Sequence, residues 1–194
     1  MEIILVRHGF SIGNLNHTLS GWTDVALTEQ GIEELYKFKS TKEYDETALY
    51  FSSDLKRAYD TARILFPDKT IQKRKEFREI NFGIYENKNP LQLNFREFFQ
   101  RWFKGDKIED GENYFEFMDR IVESFYDLNQ EVKSLGHNSY TLISHSGVIR
   151  GILSHLEDAS PRDFFEYDAP NGLGYKLELE EKNSKYIIRE IEKI

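Results

Sequence analysis

The chain has 194 residues, 31% of them charged, with 12 glycines, 4 prolines and no cysteine, which suits one folded unit with a real core and neither linker nor disordered tail. A formal charge of −8 disfavours a broad nucleic-acid surface, which needs a basic patch. No apolar run approaches the roughly 18 residues of a membrane helix, and without thiols there are no disulfides or thiolate metal sites. The expectation is a single domain over 1–194, cytoplasmic, with no nucleic-acid or membrane partner. Lysine and arginine still number 26. A small cationic pocket is therefore allowed, because remote carboxylates are screened beyond about 8 Å at physiological salt.

The first element is EIILV (2–6), too short and too uncharged at its start for a signal peptide and well suited to a buried strand. It runs straight into Arg7-His8-Gly9. TEQGIEELYKFK (28–39) reads as a helix with Thr28 as N-cap, and ALYFSS (48–53) as a strand. SDLKRAYDTARILF (53–66) spaces apolar residues at three and four, with Ser53 or Asp54 as the expected cap and Pro67 as the stop. TIQKRKEF (70–77) reads as a strand. PLQLNFREFFQRWFKGDK (90–107) is unusually aromatic at Phe95, Phe98, Phe99, Trp102 and Phe103, and two readings stand: a cover for a site, or core packing at helical spacing. In the long helix 112–136, Phe115, Met118, Val122, Phe125 and Leu128 trace the apolar face. SYTLIS (139–144) is a strand, SGVIRGILSHL (146–156) a helix, and the tail a hairpin turning at Asn183-Ser184. Strands alternating with helices predict an α/β fold with a mostly parallel sheet and the hairpin at its edge. Ligands of such sheets gather beyond the carboxyl ends of the strands.

Two of those strands end alike, EIILVRHG at His8 and SYTLISHSG at His145. Both imidazoles are expected on one rim, joined by Arg7 and by Arg57 from the first turn of helix 53–66. The helix after His145 would add backbone N–H groups and a positive dipole end. Two imidazoles and two guanidinium groups favour a phosphoryl guest, since guanidinium matches phosphate oxygens bidentately. With no Walker-type loop and no acidic cluster, neither a metal nor another cofactor is expected. His17, His137 and His155 show no metal-ligand spacing.

These segments resemble the histidine phosphatase superfamily, the group that contains cofactor-dependent phosphoglycerate mutase. The resemblance rests on Arg7-His8-Gly9-Phe10-Ser11-Ile12-Gly13-Asn14, Ser20-Gly21-Trp22-Thr23-Asp24 with Leu27-Thr28 and Gly31, Ser52-Ser53-Asp54-Leu55-Lys56-Arg57-Ala58 with Thr61-Ala62, Glu79 in FREINFGIYE, and Ser144-His145-Ser146-Gly147-Val148-Ile149-Arg150. It implies a three-layer sandwich of the phosphoglycerate mutase-like kind, with a helical lid over about 88–135. It further implies that His8 becomes phosphohistidine, that Arg7, Arg57 and His145 hold the equatorial oxygens, and that Glu79 exchanges protons with the leaving and attacking oxygens. Asn14, Ser20, Gly21 and Ser146 would contact a small phosphorylated metabolite. Phe10 and Ser146 depart from the residues common at their places. Glu86 competes with Glu79 for the acid but is expected to be structural; Arg150 either helps to position the site or, the favoured reading, is a solvated or salt-bridged helix residue, and Trp22 either lines the entrance or packs. The short chain after Glu79 favours the phosphatase branch over a mutase, and a non-catalytic phosphoester-binding regulator is the third reading.

Overall fold

The computed structural model describes residues 1–41 and 44–194, apart from the side chains of Gln92 and Phe95. Among these residues, six strands form one sheet: β1 (Glu2–Arg7), β2 (Leu49–Ser53), β3 (Ile71–Arg74), β4 (Ser139–Ser144), β5 (Gly174–Lys182) and β6 (Lys185–Lys193). Their order across the sheet is β3-β2-β4-β1-β5-β6. The first four run parallel, and the β5–β6 hairpin adds antiparallel to β1. Its turn falls at Asn183 and Ser184, both with positive φ, as a tight two-residue hairpin requires.

The apolar run of β1 is continuous because both its faces are covered. Ile3 and Leu5 face the core shared with α5 (Tyr114–Ser134) and α6 (Ser146–Leu156). Ile4 and Val6 face the core under α2 (Glu29–Thr41) and α3 (Lys56–Leu65). This is the expected three-layer α/β sandwich. Two short helices, α1 (Ile12–Leu15) and α4 (Phe95–Trp102), belong to the connections on the rim where the site lies. No described helix is long and apolar enough to cross a membrane.

Several local expectations are corrected. β3 ends at Arg74, because Lys75–Phe77 coils into a 3-10 turn that buries Phe77. The N-cap of α3 is Leu55, with no side-chain bond of its own. Asp24, from a distant loop, accepts the Lys56 N–H at 2.7 Å in its place, which frees Asp54 for a two-pronged pair with Arg78. The inner face of α5 is Tyr114, Phe117, Ile121, Phe125, Leu128 and Val132, whereas Phe115 is 52% exposed. Helical period fits both phases of that aromatic-rich sequence; the Asn113 capping box fixes where the helix starts, and packing of Tyr114 and Phe117 against Trp102 selects the buried face.

The aromatic segment does both things that its composition allows. Trp102 is 1% exposed, stacked among Phe99, Phe103, Tyr114 and Phe117, and its indole N–H donates to the Glu112 carbonyl at 3.0 Å. It is core. Phe99 is also buried, yet it walls the cavity described below. Phe95, part of the same expectation, lies outside the described side chains. Trp102→Ala should lower unfolding free energy by about 3–5 kcal/mol, read as a lower denaturant midpoint at unchanged slope. A loss under 1 kcal/mol would show that α4 is not part of the cooperative core.

Candidate active site

Register alone brings the two histidines together. β1 and β4 pair in parallel with Arg7 opposite Ser144, so His8 and His145 are the next residues along neighbouring strands. The His8 N–H still donates to the Ser144 carbonyl at 2.9 Å. Their ring centroids lie 5.2 Å apart, edge to face, close to the spacing of adjacent strands. β2 supplies the third neighbour: Ser53 Oγ lies 2.9 Å from His145 Nε2.

His8 Nδ1 lies 2.7 Å from the Gly9 carbonyl oxygen. A carbonyl only accepts, so Nδ1 carries the proton and Nε2 carries the lone pair. Arg57 Nε donates to that Nε2 at 3.3 Å. Burial, then the charges of Arg57 and Arg7, hold His8 well below its ordinary 6.5. Burial and the same Arg57, followed by His8 and Arg7, depress His145 likewise. Both rings are neutral at pH 7. The Gly9 end is itself tied down, by Thr61 Oγ1 on the Gly9 N–H and by Asn171 Nδ2, which donates to the His8 and Gly9 carbonyls.

Arg57 is not the free fork expected of it. Its terminal nitrogens donate to the carbonyls of Thr23, Ser20 and Gly21 at 3.0, 2.7 and 2.8 Å, which leaves Nε to face His8. Burial lowers its pKa to about 10, so it stays charged at neutral pH. The loop that grips it is gripped in turn by Glu86, whose carboxylate accepts from the N–H groups of Gly21, Trp22, Thr23 and Phe82 and from Thr23 Oγ1. Gly21 and Thr23 thus give their N–H groups to an anion and their carbonyls to a cation. The Gly21 N–H is spent on Glu86, and Gly21 does not line the cavity, contrary to its expected substrate contact. Its lack of a side chain still matters, since a Cβ would lie 1.9 Å from the Ile80 carbonyl oxygen.

Glu79 sits at the N-terminus of α6. Its carboxylate accepts from the Gly147 N–H and from its own neighbour Ile80, both at 3.0 Å. The helix end expected to bind an incoming anion therefore already holds the Glu79 carboxyl group. Only glycine allows this at 147, where a Cβ would lie 2.1 Å from Glu79 Oε1. Arg120 on α5 fixes the same turn through the carbonyls of Glu76, Arg78 and Glu79, and Trp22 Nε1 donates to the Glu79 carbonyl. Trp22 thus braces Glu79 and is not among the cavity's lining residues.

The cavity measures about 190 Å³. Arg7, His8, Asn14, Ser20, Arg57, Glu79 and Ser146 give it a polar lining, and Phe82, Phe99, Phe164 and Phe165 an aromatic one. His145 lies behind, fully buried. Asn14 has its amide oxygen occupied by Ser11 N–H, Ser11 Oγ and Asn171 Nδ2, which turns its NH₂ group into the available donor. Three buried polar atoms of the site have no partner among the described residues: Arg7 Nε, Ser20 Oγ and His145 Nδ1. Each can donate. Arg150 also lines the cavity, anchored by the Tyr167 carbonyl and stacked on Phe165 at 5.4 Å; burial lowers its pKa. Its position four residues into α6 was the one signal that it could turn inward, and Asn171, in a loop, gave no such signal.

The profile of the histidine phosphatase superfamily (branch 1) matches residues 3–189. The chain belongs to this superfamily. Among curated relatives, a 2,3-bisphosphoglycerate-dependent phosphoglycerate mutase of Gloeobacter violaceus is 30% identical over 170 residues, 82% of this chain and 77% of the mutase. Among solved structures, a phosphoglycerate mutase of Thermus thermophilus is 27% identical, with a TM-score of 0.72 and 96% of each chain covered. The alpha-ribazole phosphatase of Shigella flexneri, at 21% identity, shares the fold with a TM-score of 0.77 over 97% of this chain and 95% of its own. Superfamily members include mutases and phosphatases, and both kinds stand among these relatives.

The grip of Glu86 on Arg57 has a measurable consequence. Glu86→Gln should slacken the 20–23 loop, move Arg57 off His8 Nε2 and remove part of the charge that opposes imidazolium. The acid limb of kcat/KM, which reports the free enzyme's base, should move to higher pH, and kcat should fall about tenfold or more. A rate loss with no movement of the limb would mean that Glu86 serves stability alone.

Proposed function

We propose that the chain is a metal-independent phosphomonoester hydrolase that passes the phosphoryl group through His8. The observation that carries this reading is a neutral, tautomer-fixed imidazole whose Nε2 lone pair opens on a small cavity with orphaned buried donors around it. Only an acceptor-rich group satisfies such donors together, and a phosphoryl group has the oxygens to do so.

In the first step His8 Nε2 attacks phosphorus and the ester P–O bond breaks, with a proton from Glu79 going to the leaving oxygen. The entering group displaces Arg57 Nε from the lone pair, and that N–H becomes a donor to a phosphoryl oxygen. Arg7, Ser20 and the Asn14 NH₂ add further donors, and His145 Nδ1–H completes them when its Nε2 accepts from Ser53 Oγ. In the second step water attacks phosphorus on phosphohistidine, Glu79 takes its proton, the N–P bond breaks and inorganic phosphate leaves. The guanidinium groups act without a metal because backbone carbonyls, not carboxylates, partner Arg57.

A mutase is the second reading, favoured by the name of the Gloeobacter violaceus relative. Against it stands the aromatic share of the lining, since beyond Arg7 and Arg57 the one further cation there for a second phosphate, among the described residues, is Arg150. The physiological substrate of the hydrolase is a small phosphorylated metabolite.

His8→Ala should abolish phosphate release from aryl and alkyl phosphates, a loss of about 10⁴-fold or more, together with acid-labile label trapped by rapid quench. Glu79→Gln should still transfer from nitrophenyl phosphate, whose leaving group needs no proton, while slowing alkyl esters about 10²–10³-fold. Isomerisation of phosphoglycerates without phosphate release would replace the hydrolase reading with the mutase. Ester binding with no labelled protein would indicate a regulator.

A further inference from the structure

Phe99 and Phe165 form a wall with two sides. Inward they face the catalytic cavity; outward they floor an open groove of about 880 Å³ between α4 and the 3-10 turn Pro161–Phe165. Phe103 extends the floor, and Arg96, Lys104 and Arg162 stand around it. No carboxylate lines the groove, and none of the three cations has an ion-pair partner among the described residues. That is unusual for a chain of formal charge −8. Cations next to it are treated differently: Arg101 pairs with Asp106, and Lys107 with Glu116. Two acids are next in sequence to these cations, and both are engaged elsewhere: Asp163 caps the Ser160 N–H and Glu97 accepts from Asn94 Nδ2.

The inner cavity, about 190 Å³, holds a phosphoryl group and a small leaving group, since about 150 Å³ already admits a benzene ring. A larger leaving group needs room beyond it, and Phe165, 42% exposed with the Arg150 guanidinium 5.4 Å from its ring, borders both the cavity and the groove. We propose that the groove is the outer half of the substrate site. It takes a phosphomonoester whose leaving alcohol carries an aromatic ring and, beyond the ring, a second anionic group. The ring lies against Phe99 and Phe165, and the distal anion meets Arg96, Lys104 and Arg162. This rests on the phosphomonoester reading and narrows it. Compact phosphorylated acids are too short to use both halves.

The test compares two esters that differ in one charge, 6-carboxy-2-naphthyl phosphate and its 6-carboxamide. Both are titrated calorimetrically into the His8→Ala protein at low ionic strength, so binding is read without turnover. The carboxylate should bind about tenfold tighter. The ratio should fall toward one when Arg96→Gln, Lys104→Gln and Arg162→Gln are added, and likewise in molar salt, where exposed charges are screened. Being a ratio within one protein, it is insensitive to a general loss of folding, which circular dichroism checks. Equal dissociation constants, no binding of either ester, or a preference that survives the three substitutions would overturn the proposal. Phosphate release from phenyl phosphate by the unsubstituted protein is measured separately. Its absence counts against the hydrolase reading, and the ratio still decides the groove.

Discussion

One hydrogen bond sets the chemistry of this site, the 2.7 Å contact between His8 Nδ1 and the Gly9 carbonyl. It places the imidazole proton on the side away from the cavity and the lone pair on the side toward it. A buried ring beside a guanidinium then has every reason to stay neutral, since burial and Arg57 both oppose a second proton. The Gly9 carbonyl is held in place because Asn171 donates to it and Thr61 accepts the Gly9 N–H one peptide earlier. Without that anchorage the tautomer would be free to invert, and Nε2 would become a donor.

The second constraint concerns how a cation is buried next to such a ring. An ion pair would have cancelled the field of Arg57, and bare burial would have cost several kcal/mol. Backbone carbonyls of residues 20–23 ease both problems: they solvate the guanidinium, and the carboxylates of Glu79, Glu86 and Asp24 act on it only through space, without a direct ion pair. Glu86 balances the loop from its far side through N–H groups. The same economy appears at Glu79, where the first turn of α6 and the Arg120-held turn fix the carboxylate through peptide groups. Main-chain dipoles do most of the positioning, with side chains as the charged ends.

Much of this architecture was legible in the sequence for a local reason. Apolar runs that stop at Arg7-His8-Gly9 and at Ser144-His145-Ser146 mark buried parallel strands with polar ends, and register then brings the rings together. The hairpin was legible from the turn residues Asn183-Ser184. What escaped was set by contacts distant in sequence. Asp24 takes over the start of α3, Glu86 reaches back across 65 residues to Gly21, and Asn171 reaches 163 residues to His8. Such acceptors have no pattern around them; any Asp, Glu or Asn in a loop looks alike until the chain is folded. The phase of α5 was misread because Phe115 and Phe117 are equally apolar, and packing against Trp102 buries the second. Arg150 looked like a solvated helix residue, and its inward turn depends on Tyr167 and Phe165 in a later loop.

The most direct test of the account is imidazole ¹⁵N NMR of the ligand-free protein, with His8 assigned by comparison with His8→Ala. At pH 7, two-bond correlations should show His8 as neutral imidazole with the proton on Nδ1 and an unprotonated Nε2, unchanged on acidification to about pH 6, where an ordinary histidine is mostly charged. A protonated Nε2, or an imidazolium at neutral pH, would contradict the claim that the fold holds His8 ready as a nucleophile.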